Sequence, residues 1–269
     1  MSESVVERAH AKVNLRLRIL GRRPDGYHEL DTIFQALELH DLLEAERARA
    51  TRLSIDGDVD AGPVEDNLVL RAAGAFAEAT GQASGVSFRL TKCIPAGAGL
   101  GGGSSDAAAA LRALNRLADE PLDAAALLAL GARLGSDVAF FLCGATRAQA
   151  TGRGEQLTAL PPVQTRPVLV VDPGFRIATR DAFAWWDARS PAPGAADAND
   201  FEPVVFARFP LLARVRDALL EAGAATAMLS GSGSCVFGMF EPRAPTDAAA
   251  VSLRAVAPEA RVLHTTTLP

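Results

Sequence analysis

A glycine-rich loop that runs directly into an alanine-rich helical pattern restricts the fold of this chain most. Residues 95–106 read PAGAGLGGGSSD, and the helical pattern SSDAAAALRALNRLA starts at Ser104. Glycines leave backbone N–H groups unobstructed and allow positive φ angles, so several amides can converge on one anion. At a helix start these amides add to the unpaired N-terminal amides and to the positive end of the helix dipole. The segment therefore predicts a phosphate-binding loop before a helix.

The same glycines allow other interpretations. Gly97, Gly99 and Gly102 match GxGxxG, but that dinucleotide motif requires a βαβ unit, and here a second helical pattern follows the first. The loop lacks the lysine of GxxxxGK[ST], so it is not the common P-loop. A flexible linker does not normally continue into a capped amphipathic helix. Ser104 and Ser105 offer hydroxyls to phosphate oxygens or to Mg²⁺.

Composition and charge narrow the class of protein. The net charge of −5 provides no global positive field for nucleic acid, so an anionic ligand has to be held by local geometry. No apolar run approaches the ~20 residues of a membrane span, and the first residues do not resemble a secretory signal. Three separated cysteines argue against disulfides and a zinc site. We expect a soluble cytoplasmic protein with reduced thiols and no nucleic-acid or membrane partner.

Lysine is rare in this chain. Of the 27 basic residues, Lys12 and Lys92 are the two lysines and the rest are arginine. Because a guanidinium is larger and forked, a retained lysine can mark a position where only a compact ammonium serves. The alternative is chance survival at two surface sites. Lys92 lies three residues before Pro95, which makes it a candidate neighbour of the bound phosphate.

The remaining patterns predict mixed strands and helices. KVNLRLRIL, residues 12–20, alternates apolar and polar residues like a half-buried strand. Asp66 or Asn67 can cap a helix that ends at Gly81, and a hairpin is expected over residues 144–160. Strands and helices alternate irregularly, which favours the α+β class. The proline-rich segment PPVQTRP predicts a boundary, giving an N-terminal domain over residues 1–160 and a C-terminal domain over residues 161–269.

Two further segments resemble motifs of a known family when they are taken with the glycine loop. AKVNLRLRILGRRPDGYHEL begins at Ala11 and LSGSGSCVFG ends at Gly238. In order and spacing the three segments resemble the motifs of the superfamily named for galactokinase, homoserine kinase, mevalonate kinase and phosphomevalonate kinase. With EDNLV, GSDVAFFLCG and NDFEPVV, the chain is most similar to members that phosphorylate a CDP-linked methylerythritol in the non-mevalonate isoprenoid route.

The resemblance covers Ala11 to Phe240 and implies a fold and a reaction. The N-terminal domain is expected to be like that of a ribosomal protein (S5-like), and the C-terminal domain to be ferredoxin-like. ATP with Mg²⁺ would donate its γ-phosphoryl group to the 2-hydroxyl of the acceptor. The resemblance also implies which residues bind ATP: Pro95, Ala96, Gly97, Ala98, Gly99, Leu100, Gly101, Gly102, Gly103, Ser104, Ser105 and Asn67.

The resemblance assigns the catalytic roles to two residues. Asp137 matches the base that takes the hydroxyl proton; without the resemblance it would be interpreted as a helix cap or turn residue. Lys12 matches the catalytic lysine, whose ammonium keeps the aspartate ionised and contacts the moving phosphoryl group. Its alternative is a solvated strand face. Asn14 lies on the same face as Lys12 and matches a residue that orients the substrate.

The resemblance places the cytosine end of the substrate at the turn that contains Tyr27 and His28. A planar ring stacks on a base for roughly 1 to 3 kcal/mol, and a neighbouring hydrogen bond supplies selectivity. The alternative for Tyr27 is packing across the turn. Phe183 is expected to supply the other face of the stack, although Trp185 and Trp186 are nearby candidates. GSGS, residues 231–234, is either a tight turn or an additional anion-binding loop.

Three other functions compete with this one. Another small-alcohol kinase would share the glycine loop, because the acceptor pocket decides the substrate; the DGYHEL segment argues against it. A nicotinamide-dependent dehydrogenase and a non-catalytic nucleotide sensor are the alternatives from other classes. Both leave Lys12, Asn14 and Asp137 without a purpose.

Overall fold

Two compact units make up the chain. The computed structural model describes residues 4–57, 63–82, 85–119, 121–189 and 198–269. Unit 1 consists of Met1–Ala11, Leu39–Ala96 and Gly101–Ala145, and unit 2 consists of Lys12–Glu38, Gly97–Leu100 and Thr146–Pro269. Two long strands, β1 (Ser4–Arg22) and β2 (His28–Ala48), contribute residues to both units. The predicted α+β class is confirmed.

Unit 1 packs four helices against strands. Residues 42–48 of β2 pair antiparallel with β4, and β4 pairs parallel with β3. A short 3₁₀ helix, Val64–Asp66, precedes α1. The bounds of its other elements are β3 (Arg52–Asp56), β4 (Gly85–Thr91), α1 (Leu68–Thr80), α2 (Gly102–Leu117), α3 (Ala124–Leu134) and α4 (Ser136–Leu142).

The core of unit 1 forms around α2. The four alanines from Ala107 to Ala110 are fully buried, and their small side chains allow close packing against α1. Phe76 of α1 and Phe88 of β4 fill the space around them. Each buried phenylalanine contributes on the order of 2 kcal/mol by leaving water. The alanine-rich pattern that follows the loop is therefore the central helix of this unit.

The start and end of α1 agree with the sequence prediction, whereas the start of α2 differs from it. As predicted, the side chain of Asn67 caps α1, and Gly81 ends it with a left-handed φ of 69°. Helix α2 begins at Gly102 instead of Ser104, because Gly101, with φ 71°, takes the N-cap position. The last two glycines of the loop, Gly102 and Gly103, thus belong to the first turn of the helix.

Unit 2 contains a four-stranded antiparallel sheet in the order β10-β7-β9-β8. Residues 30–35 of β2 pair with β5, and β5 pairs with β6. Helix α6 was not predicted from the sequence. The elements are β5 (Arg147–Gly152), β6 (Gln156–Ala159), β7 (Pro167–Asp172), β8 (Thr226–Leu229), β9 (Val236–Met239), β10 (Arg261–Thr266), α5 (Thr179–Arg189), α6 (Glu202–Arg208), α7 (Pro210–Glu221) and α8 (Asp247–Val256).

The compact units divide the chain elsewhere than the predicted boundary between residues 160 and 161. The proline-rich residues 161–166 lack regular structure, as predicted. However, β5 pairs with β2, β6 pairs with β5, and both strands lie in unit 2. Local composition does not predict the pairing of β2 with β5, because that pairing joins residues more than a hundred positions apart. Within the described residues, no helix is long and apolar enough to cross a membrane.

A buried ion cluster joins three elements of unit 1. The Lys92 ammonium donates hydrogen bonds to Asp41 of β2 and, over 2.7 Å, to Oδ2 of Asp106 in α2. The side chains of all three residues are at most 3% exposed. The second oxygen of Asp41 accepts the backbone N–H groups of Cys93 and Ile94. The cluster therefore ties the first turns of α2 to the segment that leads into the glycine loop.

One ammonium cannot neutralise two carboxylates. The carboxylate that is left without full compensation is that of Asp106. Oδ1 of Asp106 is buried without a hydrogen-bond partner among the described residues. Burial, together with the neighbouring Asp41 and despite the opposing Lys92, raises the pKa of Asp106 to about 7. Burial lowers the pKa of Lys92, but the two carboxylates outweigh it, so that pKa is raised. Asp106 therefore retains its proton up to nearly neutral pH.

Asp106→Asn tests this account of the ion cluster. A pKa that is raised in the folded protein stabilises the fold below the unfolded pKa, and that contribution is lost as the pH rises through about 7. The amide does not titrate, so the free energy of unfolding of Asp106→Asn should rise relative to wild type by about 2 kcal/mol from pH 5 to pH 8. Urea unfolding of both proteins at both pH values measures the change.

Asp119→Asn is the matched control, because the Asp119 side chain is 92% exposed. This variant should differ from wild type by the same amount at both pH values. A pH-independent difference for Asp106→Asn as well would contradict the assignment of the raised pKa.

Candidate active site

Strand β1 buries its polar face as well as its apolar face at the position of Lys12. Val13 is fully buried, but Lys12 and Asn14 are only 4% and 2% exposed. The prediction of a half-buried strand is therefore wrong for these residues, and the alternative of a solvated face for Lys12 is wrong too. The alternation of apolar and polar residues shows which side chains share a face of the strand, but it does not show what covers that face.

A chain of hydrogen bonds fixes the Lys12 ammonium. Nζ of Lys12 donates to Oδ1 of Asn14 over 2.8 Å, and Nδ2 of Asn14 donates to Oγ1 of Thr32 over 2.7 Å. The Thr32 hydroxyl donates in turn to the carbonyl of Arg16 over 2.6 Å. The ammonium also lies 5.1 Å from the centroid of the Phe34 ring. Asn14 thus orients Lys12, and Thr32 orients Asn14; no sequence pattern had marked Thr32.

The first half of the glycine loop packs against the third glycine motif inside unit 2. Gly99 has a φ of 84°, and a Cβ placed on it would lie 1.9 Å from the carbonyl oxygen of Ser230. The Ser230 hydroxyl donates to the carbonyl of Gly99 over 2.9 Å, and the Cys235 N–H donates to the carbonyl of Ala98 over 3.1 Å. The Lys12 N–H donates to the carbonyl of Leu100 over 2.9 Å. Three segments that are far apart in sequence are therefore held together by two backbone hydrogen bonds and one from the Ser230 hydroxyl.

Asn199 holds the third motif in shape. Its Nδ2 donates to the carbonyls of Leu229 and Gly231 over 2.8 and 2.7 Å, and its Oδ1 accepts the N–H of Phe201. The residue is 1% exposed. In the sequence Asn199 is the first residue of the NDFEPVV segment, and no pattern there predicts a role for its side chain. The sequence does not indicate the two carbonyl groups that Asn199 binds, because every residue type carries a backbone carbonyl.

The second half of the loop forms the N-terminus of α2 in unit 1. Gly102 is buried, and a Cβ on it would lie 3.0 Å from Cγ2 of Ile94. Gly103 is exposed, Ser104 is half-buried, and Ser105 is 1% exposed. The first N–H groups of a helix have no intrahelical partner. Gly103 and Ser104 are therefore the accessible residues at this helix start. Ser105 and Pro95 are buried, and Ala96 is half-buried.

Asn67 directly precedes Leu68, whose side chain lies near this helix start. Its Oδ1 accepts the N–H of Val69 over 2.9 Å as the cap of α1. A Cβ on Gly103 would lie 3.8 Å from Cδ1 of Leu68, the residue after Asn67. The capping bond uses the carboxamide oxygen and leaves the NH₂ group to donate elsewhere. Helix capping and nucleotide contact are thus compatible for Asn67.

Asp137 is the second residue of α4 and is half-buried. The N-cap position belongs to Gly135, so the alternative interpretation of Asp137 as a helix cap is wrong. Asp137 thus lies in the first turn of α4, at the positive end of the helix dipole.

The residues expected around the cytosine lie in unit 2. Tyr27 is 56% exposed, and the guanidinium of Arg153 lies 4.8 Å from its ring centroid. His28 is buried and stacks on Phe183, with ring centroids 4.3 Å apart and an interplanar angle of 13°. Trp186 meets the His28 ring by its edge, whereas Trp185 contacts Phe209 and Arg208.

This geometry changes the expected stack. One face of Phe183 is covered by His28, so a base does not have that face available. Tyr27 presents the exposed ring of the group.

Comparisons with known proteins agree with the geometry. A model described as the GHMP kinases N terminal domain matches residues 67–145, and one described as GHMP kinases C terminal matches residues 187–259. The second model covers part of the predicted C-terminal domain and includes the third glycine motif. The predicted GHMP kinase two-domain fold is thereby confirmed, and the nicotinamide-dependent dehydrogenase is excluded as the family.

Two curated relatives are similar over most of the chain. A protein of Solibacter usitatus is 43% identical over 261 residues, covering 88% of this chain and 81% of that protein. A protein of Solidesulfovibrio magneticus is 44% identical, covering 93% of both chains. Both are named 4-diphosphocytidyl-2-C-methyl-D-erythritol kinase.

Solved structures extend the comparison to the fold. A crystal structure of a 4-(cytidine 5'-diphospho)-2C-methyl-D-erythritol kinase superposes with a TM-score of 0.81 at 37% identity, covering 98% of this chain and 100% of that chain. The mevalonate kinase of L. major superposes with a TM-score of 0.72 at 16% identity, covering 100% of this chain and 97% of that chain, and so shares the fold. On these matches the chain belongs to the GHMP kinase family, and its relatives include the kinases that carry the 4-diphosphocytidyl-2-C-methyl-D-erythritol name.

Proposed function

We propose that the protein transfers the γ-phosphoryl group of ATP to the 2-hydroxyl of 4-diphosphocytidyl-2-C-methyl-D-erythritol. The observation that carries the proposal is the 43% and 44% identity to relatives with this named activity over 88% and 93% of the chain. The buried Lys12 and the glycine loop supply the chemistry that such a transfer needs. ADP and a phosphomonoester of the CDP-linked alcohol would be the products.

The glycine loop and the start of α2 bind the phosphates of ATP in this proposal. The exposed Gly103 and half-buried Ser104 offer backbone N–H groups and a hydroxyl. Gly99 and Gly101 hold positive φ angles that keep the loop backbone open to the ligand. The NH₂ group of Asn67 is a further donor for the nucleotide.

Lys12 stabilises the charge of the moving phosphoryl group. A loose phosphoryl-transfer transition state spreads negative charge over its oxygens and depends on positioning more than on a strong base. The ammonium is held by Asn14 and buried from water. A fixed cation in a dry environment interacts more strongly than a mobile one in solvent and needs no reorganisation during the reaction.

Asp137 accepts the proton of the acceptor hydroxyl. That oxygen forms a bond to the γ-phosphorus while the bond from the γ-phosphorus to the bridging oxygen of ADP breaks. The proton passes to the Asp137 carboxylate and then to water. Asp137 lies in the first turn of α4, and a carboxylate is a group that can take this proton.

Mg²⁺ is proposed as the companion of ATP. Within the described residues no group of three histidine, cysteine, aspartate or glutamate side chains could hold a metal by itself. Mg²⁺ typically keeps several waters and binds through substrate phosphates with few protein ligands, so the hydroxyl of Ser104 fits as a protein contact. When bound, the ion neutralises charge on the phosphates.

The cytidylyl end of the substrate is assigned to Tyr27 and His28. The exposed Tyr27 ring offers a stacking surface once the Arg153 guanidinium moves from its face. Phe183, which the sequence proposed as the stacking partner on the far side of the base, has one face against His28. We also propose a cytoplasmic location and small-molecule partners without nucleic acid or membrane.

Release of ADP tests the proposed reaction. Purified protein with ATP and Mg²⁺ should turn over 4-diphosphocytidyl-2-C-methyl-D-erythritol, and it should be nearly inactive with the same sugar phosphate lacking the cytidylyl group. The second compound lacks the base, so it can neither stack on the ring nor form the hydrogen bonds of the base. A coupled assay for ADP measures both rates.

The two possible failures of this assay have different meanings. Equal rates with both acceptors would contradict the role of Tyr27 and His28 and favour another small-alcohol kinase of the same family. No turnover of either acceptor would contradict the proposed substrate. A nucleotide sensor would bind ATP in a calorimetric titration and release no ADP.

Asp137→Asn separates the chemical step from nucleotide binding. An amide cannot take the hydroxyl proton, so kcat should fall by about 100-fold or more, while the Kd for ATP stays close to that of wild type. Steady-state kinetics and titration calorimetry measure the two quantities. Asp119→Asn, an exposed aspartate of the same unit, is the control and should keep wild-type kcat. Wild-type kcat in Asp137→Asn would remove this residue from the role of base.

A further inference from the structure

One face of α5 holds the imidazole of His28 on three sides. Trp186 and Asp187 follow Phe183 by three and four residues, which places all three side chains on the same side of the helix. Phe183 stacks on the ring, and Trp186 meets it at 87° with centroids 5.7 Å apart. Oδ1 of Asp187 lies 2.8 Å from Nε2 of His28. The ring orientation is therefore set by packing and by one hydrogen bond.

The hydrogen bond to Asp187 decides which nitrogen of His28 carries the proton. An ionised carboxylate only accepts hydrogen bonds, so Nε2 is the donor. A neutral imidazole then has its lone pair on Nδ1. Among the described residues, the bond to Asp187 is the one hydrogen bond that the imidazole makes. Nδ1 is thus left as an acceptor without a protein donor.

An acceptor at this position distinguishes the two pyrimidine bases. Cytosine carries an amino group, a donor, at the position where uracil carries a carbonyl oxygen, an acceptor. A neutral His28 with a lone pair on Nδ1 pairs with the amino group and repels the carbonyl. A site that hydrogen-bonds one substrate group rejects an analogue that cannot complete the bond.

We propose that Asp187 is a positioning residue that makes the protein select a cytidylyl over a uridylyl substrate by holding His28 in the tautomer with the proton on Nε2. The proposal rests on the proposed function, because it takes the base to bind at Tyr27 and His28. Asp187 acts through His28 and does not touch the substrate. Its side chain is 35% exposed, so its replacement leaves no buried cavity.

The decisive measurement compares two acceptors in three proteins. The value of kcat/KM is determined for the CDP-linked methylerythritol and for its UDP-linked counterpart with wild type, Asp187→Ala and Asp181→Ala. Asp181 lies on the same helix with a half-exposed side chain and contacts Arg180 instead of His28. In Asp187→Ala the preference for the CDP compound should fall about 10-fold, mainly through KM. Asp181→Ala should keep the wild-type preference.

The tautomer is measured separately by ¹⁵N NMR of the histidine side chains at about pH 8. The His28 signals are assigned by their loss in His28→Gln. Wild type should show the proton on Nε2, and Asp187→Ala should show both tautomers.

Two results would overturn the proposal. The first is an unchanged preference in Asp187→Ala, and the second is a wild-type His28 with its proton on Nδ1. A wild-type protein that turns over neither acceptor refutes the proposed function instead. In that case the NMR result and the relative affinities of wild type and Asp187→Ala for CMP and UMP still decide the role of Asp187.

Discussion

The close approach of the glycine loop to the third glycine motif is the constraint on which the proposed site depends most. Any side chain at Gly99 would overlap the carbonyl of Ser230, and the bonds from Ser230 and Cys235 hold the loop at that distance. The N–H of Lys12 binds the same loop at Leu100. Lys12 and the first half of the glycine loop are therefore placed by one arrangement inside unit 2, and the side chains of Asn14 and Asn199 refine it.

The two lysines show why a compact ammonium is retained in a chain that otherwise uses arginine. Both are at most 5% exposed, so chance survival at the surface is wrong. Lys12 donates to one amide oxygen, and Lys92 lies between two carboxylates. A planar guanidinium is larger and needs a wider acceptor arrangement than either pocket offers. Lys92 is thus a buried anchor for the start of α2 and not a surface group, and its place beside a bound phosphate stays a prediction.

Motif residues were predictable from sequence because their chemistry depends on residue type and spacing. The capped helix α1, the loop before α2 and the α+β class follow from local pattern. Thr32, Asn199, Asp106 and Asp187 were missed because each acts on a partner that is distant in sequence or is a backbone carbonyl. The grouping of β5 with β2 in unit 2 was not predicted for the same reason, since their pairing joins residues more than a hundred positions apart. Burial of the polar face of β1 also needs tertiary information.

Titration calorimetry with a non-hydrolysable ATP analogue and Mg²⁺ on Gly99→Ala tests the central constraint most directly. The added Cβ would lie 1.9 Å from a backbone oxygen at a φ of 84°, so the loop has to move. Gly74→Ala is the control, because a Cβ on Gly74 meets no atom within 4 Å. The account predicts that Gly99→Ala loses most of its affinity for the analogue and Gly74→Ala keeps it. Wild-type affinity in a folded Gly99→Ala would contradict it.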